Sequence, residues 1–210
     1  MRPGSPGLLD GLGITFDAGL HPDVISSATV LGGIKTALGT GQTLSAINAG
    51  MPGWNIMALG TQSGSLGETS APLILAGGLF LLAARVISWH IPVSLIVTLM
   101  LLAAGFHLLD PARYPGALQH LLAGATLLGA FFIAADLVTS PVTAAGQLLF
   151  GAGCGALVYV IRTWAGYPES MAFAIMLMNA LTPLIDHYLK PRVYGRDRRG
   201  NPIIMAAGRD

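Results

Sequence analysis

Five stretches of almost uninterrupted apolar residues lie between residues 70 and 188, separated by short joints that are polar or rich in helix breakers. Each stretch has the length of an α-helix that crosses the hydrocarbon core of a bilayer, roughly 17 to 25 residues. The pattern therefore predicts an all-α integral membrane protein with five transmembrane helices whose neighbours run antiparallel. The predicted spans are Ser70–Ser88, Pro92–Leu109, Ala117–Leu137, Gly146–Trp164 and Ser170–Tyr188.

The segment before these helices is different in kind. It is rich in Gly, Ser and Thr and contains no apolar run long enough to span a membrane. Apolar residues recur there at helical spacing, which predicts a short amphipathic helix from near Ala28 to around Gly39 and a second from Gln42 to Asn48. The residues that set the spacing of the first helix are Val30, Leu31, Ile34, Ala37 and Leu38.

The composition agrees with a membrane environment. Hydrophobic residues make up 53% of the chain and charged residues only 10%, whereas soluble domains carry about 25% charged residues. The net charge is +1, which gives no support for binding nucleic acid. The basic residues instead gather in the C-terminal tail, where contact with lipid head groups and control of topology account for them.

Counting positive charges gives the orientation. Five spans place the chain ends on opposite sides, and basic residues are more frequent on the cytoplasmic side. The side predicted to carry the tail has seven lysine and arginine residues, and the other side has four. The protein is thus divided into an extracytoplasmic segment, 1–65, a five-helix bundle, 66–189, and a basic cytoplasmic tail, 190–210. The seven are Arg85, Lys190, Arg192, Arg196, Arg198, Arg199 and Arg209, and the four are Arg2, Lys35, Arg113 and Arg162.

Several residues within the spans invite structural predictions. Gly151 and Gly155 have the G-x-x-x-G spacing that allows another backbone to approach closely. Arg162 is expected to extend its side chain to the membrane surface. Asp136 is expected to face protein or water, either on an ion path or with a helix-end partner. Asp186 is expected to pair with Lys190, Cys154 to be a small buried side chain, and Met171, Met176 and Met178 to fill gaps in packing. The five histidines have no ligand spacing, so no metal site is expected.

The most specific local pattern is Asp23-Val24-Ile25-Ser26-Ser27-Ala28-Thr29. It resembles the flavinylation motif D-x-x-[ST]-[GS]-A-T, in which the threonine hydroxyl is joined to FMN through a phosphodiester. A phosphate at this position would lie at the start of the predicted amphipathic helix, where free backbone N–H groups favour an anion. The alternative is that Ser26, Ser27 and Thr29 only cap the helix.

A second pattern, Gly64 to Ser70, lies directly before the first span. Ser65 and Glu68 have the spacing of a capping box, and Ser70 followed by Pro72 is an alternative helix start. The Glu68 carboxylate could also attract a cation or orient a polar ligand at the membrane boundary. The residues alone leave both roles open.

Taken together, these motifs resemble the RnfD/NqrB family, which contains the RnfD subunit of the Rnf-type ion-translocating electron-transport complex and the NqrB subunit of the sodium-pumping NADH:quinone reductase. The resemblance covers most of the chain. Its most telling parts are Ala134-Ala135-Asp136 with Pro141-Val142-Thr143, and Pro183-Leu184-Ile185-Asp186 followed by Lys190-Pro191-Arg192-Val193-Tyr194-Gly195. The last of these favours the Rnf branch.

The resemblance implies that Thr29 carries covalent FMN on the periplasmic side of a bacterial inner membrane, attached by a separate flavin transferase. The subunit would relay electrons within a multi-subunit complex that couples ferredoxin and NAD redox chemistry to Na⁺ or H⁺ transport, without being catalytic alone. Riboflavin is implied as a second, non-covalent flavin.

The sequence departs from the family pattern at Ser27, where glycine is usual, and at Leu137, where proline is usual. The family pattern also has a further set of spans before the flavin segment, so the chain is expected to correspond to the C-terminal half of such a protein. A flavin-free membrane scaffold or permease-like fragment is the alternative function.

Overall fold

The structure is a computed structural model that describes residues 30–40, 44, 47, 70–122, 124–165, 167 and 170–190. The regular structure within these ranges is entirely helical, which confirms the predicted all-α class for them. The helices are α1, Val30–Gly39; α2, Ala71–Ala83; α3, His90–Leu109; α4, Ala117–Leu122; α5, Thr126–Leu128, continued by a π-helical turn, Gly129–Ile133; α6, Ala144–Trp164; and α7, Met171–Tyr188.

Four predicted helices are confirmed to within two residues at each end: α1, α3, α6 and α7. Ser70 is the N-cap residue of α2, with a proline in its first turn, as the Ser70-Pro72 pattern predicts. In the second predicted amphipathic helix the structure describes Leu44 and Ile47, and both are helical.

Two of the helices, α3 and α6, are long and apolar enough to cross a membrane by length and composition. The helix α7 has 18 residues, but Asn179, Asp186 and His187 make it more polar. Apolar side chains also cover the outside of the bundle: Leu101 on α3 is 68% exposed, and Leu177 and Leu181 on α7 are exposed as well. An apolar exterior around a packed apolar interior is typical of a membrane protein.

The first predicted span, Ser70–Ser88, is helical only from Ala71 to Ala83. At 13 residues this helix is about 20 Å long, shorter than the hydrocarbon core of about 30 Å. It ends in a Schellman motif: the N–H of Arg85 donates to the Leu82 carbonyl and that of Val86 to the Leu81 carbonyl, each at 3.0 Å. Arg85 has a φ of 56°, and this left-handed residue turns the chain out of the helix.

The third predicted span, Ala117–Leu137, is not one continuous helix, so that prediction is wrong. The helix α4 ends at Leu122, Gly124 adopts a φ of 69°, and the chain resumes helical structure at Thr126. A left-handed residue breaks the ladder of backbone hydrogen bonds, and glycine adopts it without steric cost. Two side chains, those of Thr126 and Arg162, donate to the His120 carbonyl beside the break.

Glycines on α6 allow this helix to pack closely against α3. A Cβ atom placed on Gly155 would lie 2.5 Å from the Leu95 carbonyl oxygen, and one on Gly151 would lie 2.6 Å from the Ile91 carbonyl oxygen. The two contacts advance together along α3 and α6, so these helices run parallel. Their close approach confirms the prediction made from the G-x-x-x-G spacing.

On its other side α6 packs against α7. Met178 lies in the notch at Gly153, and Met171 lies against Gly129 of the π-helical turn. Both methionines are buried and fill gaps as predicted, as does Cys154 with a buried side chain. Met176, by contrast, is 62% exposed, so its predicted packing role is wrong.

Candidate functional site

The predicted flavin-attachment residues Asp23, Ser26, Ser27, Ala28 and Thr29 lie outside the described residues, and so does Glu68. The first residue that the structure describes is nevertheless Val30, which directly follows Thr29 in the sequence. Val30 is also the first residue of α1. The position of α1 on the bundle is therefore the structural observation that bears most closely on the candidate site.

The helix α1 docks on one end of the bundle. Ile34 and Leu44 are buried in a small apolar cluster that includes Leu122 at the end of α4. The N–H of Leu44 donates to the carbonyl of Ala112, in the connection between α3 and α4, at 3.2 Å. We call this end, where α3 and α6 finish and where α4 and α7 begin, the docking end.

Lys35 joins α1 to the C-terminus of α6. Its ammonium donates to the Arg162 carbonyl oxygen at 3.0 Å and to the carbonyl oxygen of Ala165, the C-cap residue of α6. The last carbonyls of a helix have no partner within the helix and carry partial negative charge, so a cation is favourable there. Partial burial lowers the pKa of Lys35 because it removes water from the charged ammonium.

Arg162 lies inside the bundle, so the prediction that it extends to the membrane surface is wrong. Its side chain is only 6% exposed, and Nη1 donates to the His120 carbonyl oxygen at 2.7 Å. The hydroxyl of Thr126 donates to the same oxygen at 2.8 Å. The interruption after α4 leaves this carbonyl without its usual helical donor, and the two side chains replace that donor across the break.

Buried polar side chains gather at the docking end. His120 is 3% exposed, and neither of its ring nitrogens has a hydrogen-bond partner within the described part of the chain. Ionisable side chains within membrane helices usually mark functional positions. Within the described ranges the buried polar or charged residues are Gln119, His120, Thr126, Arg162 and Ser170.

Aromatic rings surround these polar groups. The Phe106 ring lies 5.3 Å from that of Tyr159 and 5.4 Å from that of Trp164, measured between ring centroids. The Tyr159 ring also lies 5.4 Å from the His120 imidazole. The docking end thus combines packed aromatic rings, a buried cation and hydrogen-bonding groups, and α1 contacts it at Leu122 and at the carbonyls of residues 162 and 165.

The opposite end of the bundle holds the predicted acidic residues. The Asp136 carboxylate is exposed and accepts from the Thr139 hydroxyl at 3.3 Å, so it has a helix-end partner. The Asp186 carboxylate accepts from the Val142 N–H at 3.2 Å, which replaces the predicted ion pair with Lys190. No cluster of three or more His, Cys, Asp or Glu side chains that could hold a metal ion occurs among the residues that the structure describes.

Sequence patterns did not identify the roles of Lys35, His120 and Arg162. Their signal was nevertheless present, because Lys35 is the only ionisable residue between Asp23 and Glu68, and His120 and Arg162 each lie inside an apolar stretch. Their proximity depends on the break in the third predicted span, which no periodicity indicates.

Arg162→Met is expected to lower the free energy of unfolding by about 2 kcal/mol, because the buried His120 carbonyl loses a charged donor. The Lys35 contact would persist, since it uses the backbone oxygen of residue 162. Thermal unfolding in detergent measures the difference. Arg113→Met, at an exposed arginine, is the matched control, and equal unfolding midpoints for the two variants would contradict the role given to Arg162.

Comparisons with a family model and with individual relatives give the same family. Residues 6–195 match the model of the NQR2, RnfD, RnfE family. The chain is 51% identical over 203 residues to a Stutzerimonas stutzeri protein named as a subunit of the ion-translocating oxidoreductase complex, covering 97% of this chain and 57% of that relative. A protein of the same name from Halorhodospira halophila is 50% identical over 201 residues, covering 95% of this chain and 56% of that relative.

This chain therefore spans little more than half the length of these curated relatives. The family match extends over most of the chain, from before the Asp23–Thr29 motif through the end of the bundle. On this basis the chain belongs to the NQR2, RnfD, RnfE family.

Proposed function

We propose that this chain is a flavin-carrying membrane subunit of an ion-translocating electron-transport complex, with FMN joined to the hydroxyl of Thr29 through a phosphodiester. The observation that carries the proposal is the Asp23–Thr29 motif, which ends immediately before a helix docked on the bundle. The names of the relatives, which place them in an ion-translocating oxidoreductase complex, support the wider role.

The surroundings of α1 suit a flavin. Its first turn contains no acidic residue, so a phosphate at the residue before it would meet free N–H groups without repulsion from a carboxylate. At the docking end the Trp164 ring is 54% exposed and lies beside the Phe106 ring. When bound, FMN supplies one- and two-electron redox chemistry, and an exposed aromatic ring such as that of Trp164 would stack against its flavin ring. Riboflavin is proposed as a second, non-covalent flavin.

The proposed topology has five membrane-crossing segments, with residues 1–65 in the periplasm and the tail from residue 190 in the cytoplasm of a bacterial inner membrane. The hydrogen bonds from Lys35 to Ala165 and from Leu44 to Ala112 support one part of it. They bring residue 35 to the connection between α6 and α7, and residue 44 to the connection between α3 and α4. In a topology with five spans these two connections lie on the same side of the membrane. The distribution of basic residues favours the periplasm for that side.

In this function the chain works with the other subunits of the complex and with a flavin transferase. It passes electrons between partners that couple ferredoxin and NAD chemistry to Na⁺ or H⁺ transport, and it is not catalytic alone.

Co-expression with and without a flavin transferase tests the proposal. The denatured protein band is expected to fluoresce under ultraviolet light only when the transferase is present, because a covalent flavin survives denaturation. A band without fluorescence in both cases would favour the alternative, a flavin-free membrane scaffold.

A further inference from the structure

The segment between Asp23 and Glu68 carries a single ionisable side chain, Lys35. This side chain is not simply solvated on the outer face of α1. It binds two carbonyl oxygens, one in the last turn of α6 and one at its C-cap. The only charge of an otherwise neutral segment therefore lies at the contact with the bundle.

We propose that Lys35 is a positioning residue that fixes α1, and with it residue 29, at one place on the docking end. The part of this inference that concerns docking rests on described contacts alone. The part that concerns the flavin also rests on the proposed function.

Among the residues that the structure describes, the apolar contacts of α1 are few. The helix has only ten residues, and isolated helices of this length are marginal in water. Its buried contact is a small cluster centred on Ile34 and Leu44. Apolar contact is not directional, whereas the ammonium needs the exposed carbonyls at the end of α6. Lys35 therefore selects one position among those that the apolar face allows.

The contact of Lys35 with α6 also connects α1 to the interrupted third predicted span. Lys35 binds the backbone oxygen of Arg162, and the side chain of the same residue binds the carbonyl of His120 beside the break. Residue 29 lies six positions before Lys35 in the sequence. A flavin attached there would lie near a fixed positive charge, which favours the reduced, more anionic flavin and raises its midpoint potential.

Thiol labelling of the full chain in membranes tests the docking. Ile34→Cys, in a Cys154→Ala background, places a thiol at a position that is buried when α1 is docked. Lys35→Met is expected to raise its maleimide labelling rate at least about tenfold, because a charged hydrogen-bond donor to α6 is lost. Lys35→Arg is expected to restore slow labelling, since a guanidinium can also donate to two carbonyls.

Gly33→Cys is the matched control, because residue 33 is exposed beside Ile34 and is expected to label rapidly whether or not Lys35 is present. Labelling of the Ile34→Cys thiol that remains slow with Lys35→Met would overturn the proposal. The proposal would also be overturned if the Ile34→Cys thiol labelled as rapidly with Lys35→Arg as with Lys35→Met. A cation at position 35 would then have no specific role.

A redox titration of the FMN provides the second measurement. Lys35→Met is expected to lower the midpoint potential and Lys35→Arg to restore it, with the flavin still attached. An unchanged potential would overturn the electrostatic part of the inference. A chain that carries no flavin would instead refute the proposed function, and the labelling experiment would still decide whether Lys35 positions α1.

Discussion

Thr29→Val is expected to abolish covalent flavin completely while the protein still accumulates in the membrane. Valine keeps the size and β-branching of threonine but removes the hydroxyl to which the phosphate would be joined. The measurement is ultraviolet fluorescence of the denatured band after co-expression with a flavin transferase, normalised to the amount of protein.

Thr36→Val is the matched control for this prediction. Thr36 lies on α1, is exposed, and donates its hydroxyl to the Gly32 carbonyl at 2.9 Å, so flavin content is expected to remain unchanged. Thr29→Ser retains a hydroxyl and is expected to retain some flavin. Fluorescence of Thr29→Val equal to that of the unaltered protein would show that the attachment site lies elsewhere.

Gly155→Val is expected to lower the free energy of unfolding of the bundle by about 3 kcal/mol or more. A Cβ at this position would lie 2.5 Å from the Leu95 carbonyl oxygen and 3.2 Å from the Leu99 backbone nitrogen. Both are backbone atoms, so they cannot move aside as a flexible side chain can, and α3 and α6 must separate. The fraction of protein that remains monodisperse in detergent after heating measures the effect.

Gly105→Val controls for placing valine in a helix. Gly105 is on α3, is exposed, and a Cβ there would meet nothing within 4 Å. Its unfolding midpoint is expected to stay close to that of the unaltered protein, because only helix propensity changes. If Gly155→Val and Gly105→Val unfold at the same temperature, the parallel packing of α3 and α6 is incorrect.

Elements set by local pattern were predictable from the sequence. Long apolar runs bounded by breakers gave α3, α6 and α7 with nearly correct ends, and apolar spacing gave α1. The spacing of Gly151 and Gly155 identified the face along which two helices meet, because small residues permit that contact whatever partner supplies it.

Features set by tertiary contacts were not predictable. The third predicted span is apolar from Ala117 onwards, so its sequence does not distinguish a continuous helix from an interrupted one. The break exists because Gly124 turns the chain and because Arg162, distant in sequence, binds the carbonyl of His120. The same contact draws the Arg162 side chain inward, although an arginine near a helix end would ordinarily reach the membrane surface.

The candidate site was predictable only in part. A local motif gave the proposed attachment residue, Thr29, because the chemistry of attachment requires particular residues in order. The polar groups at the docking end come from separate helices, and only the fold brings Lys35, Arg162 and His120 together. The docking of α1 therefore adds what the motif lacks, which is a fixed place for the helix on the bundle.

Mass spectrometry of the purified holoprotein shows whether FMN is joined to Thr29. Trypsin cleaves after Lys35, so the peptide that ends there contains the whole Asp23–Thr29 motif. This peptide is expected to carry the mass of FMN attached with loss of water, and fragment ions are expected to place the addition on Thr29. An unmodified peptide from protein matured with the transferase, or a flavin on any other residue, would show that Thr29 is not the attachment site.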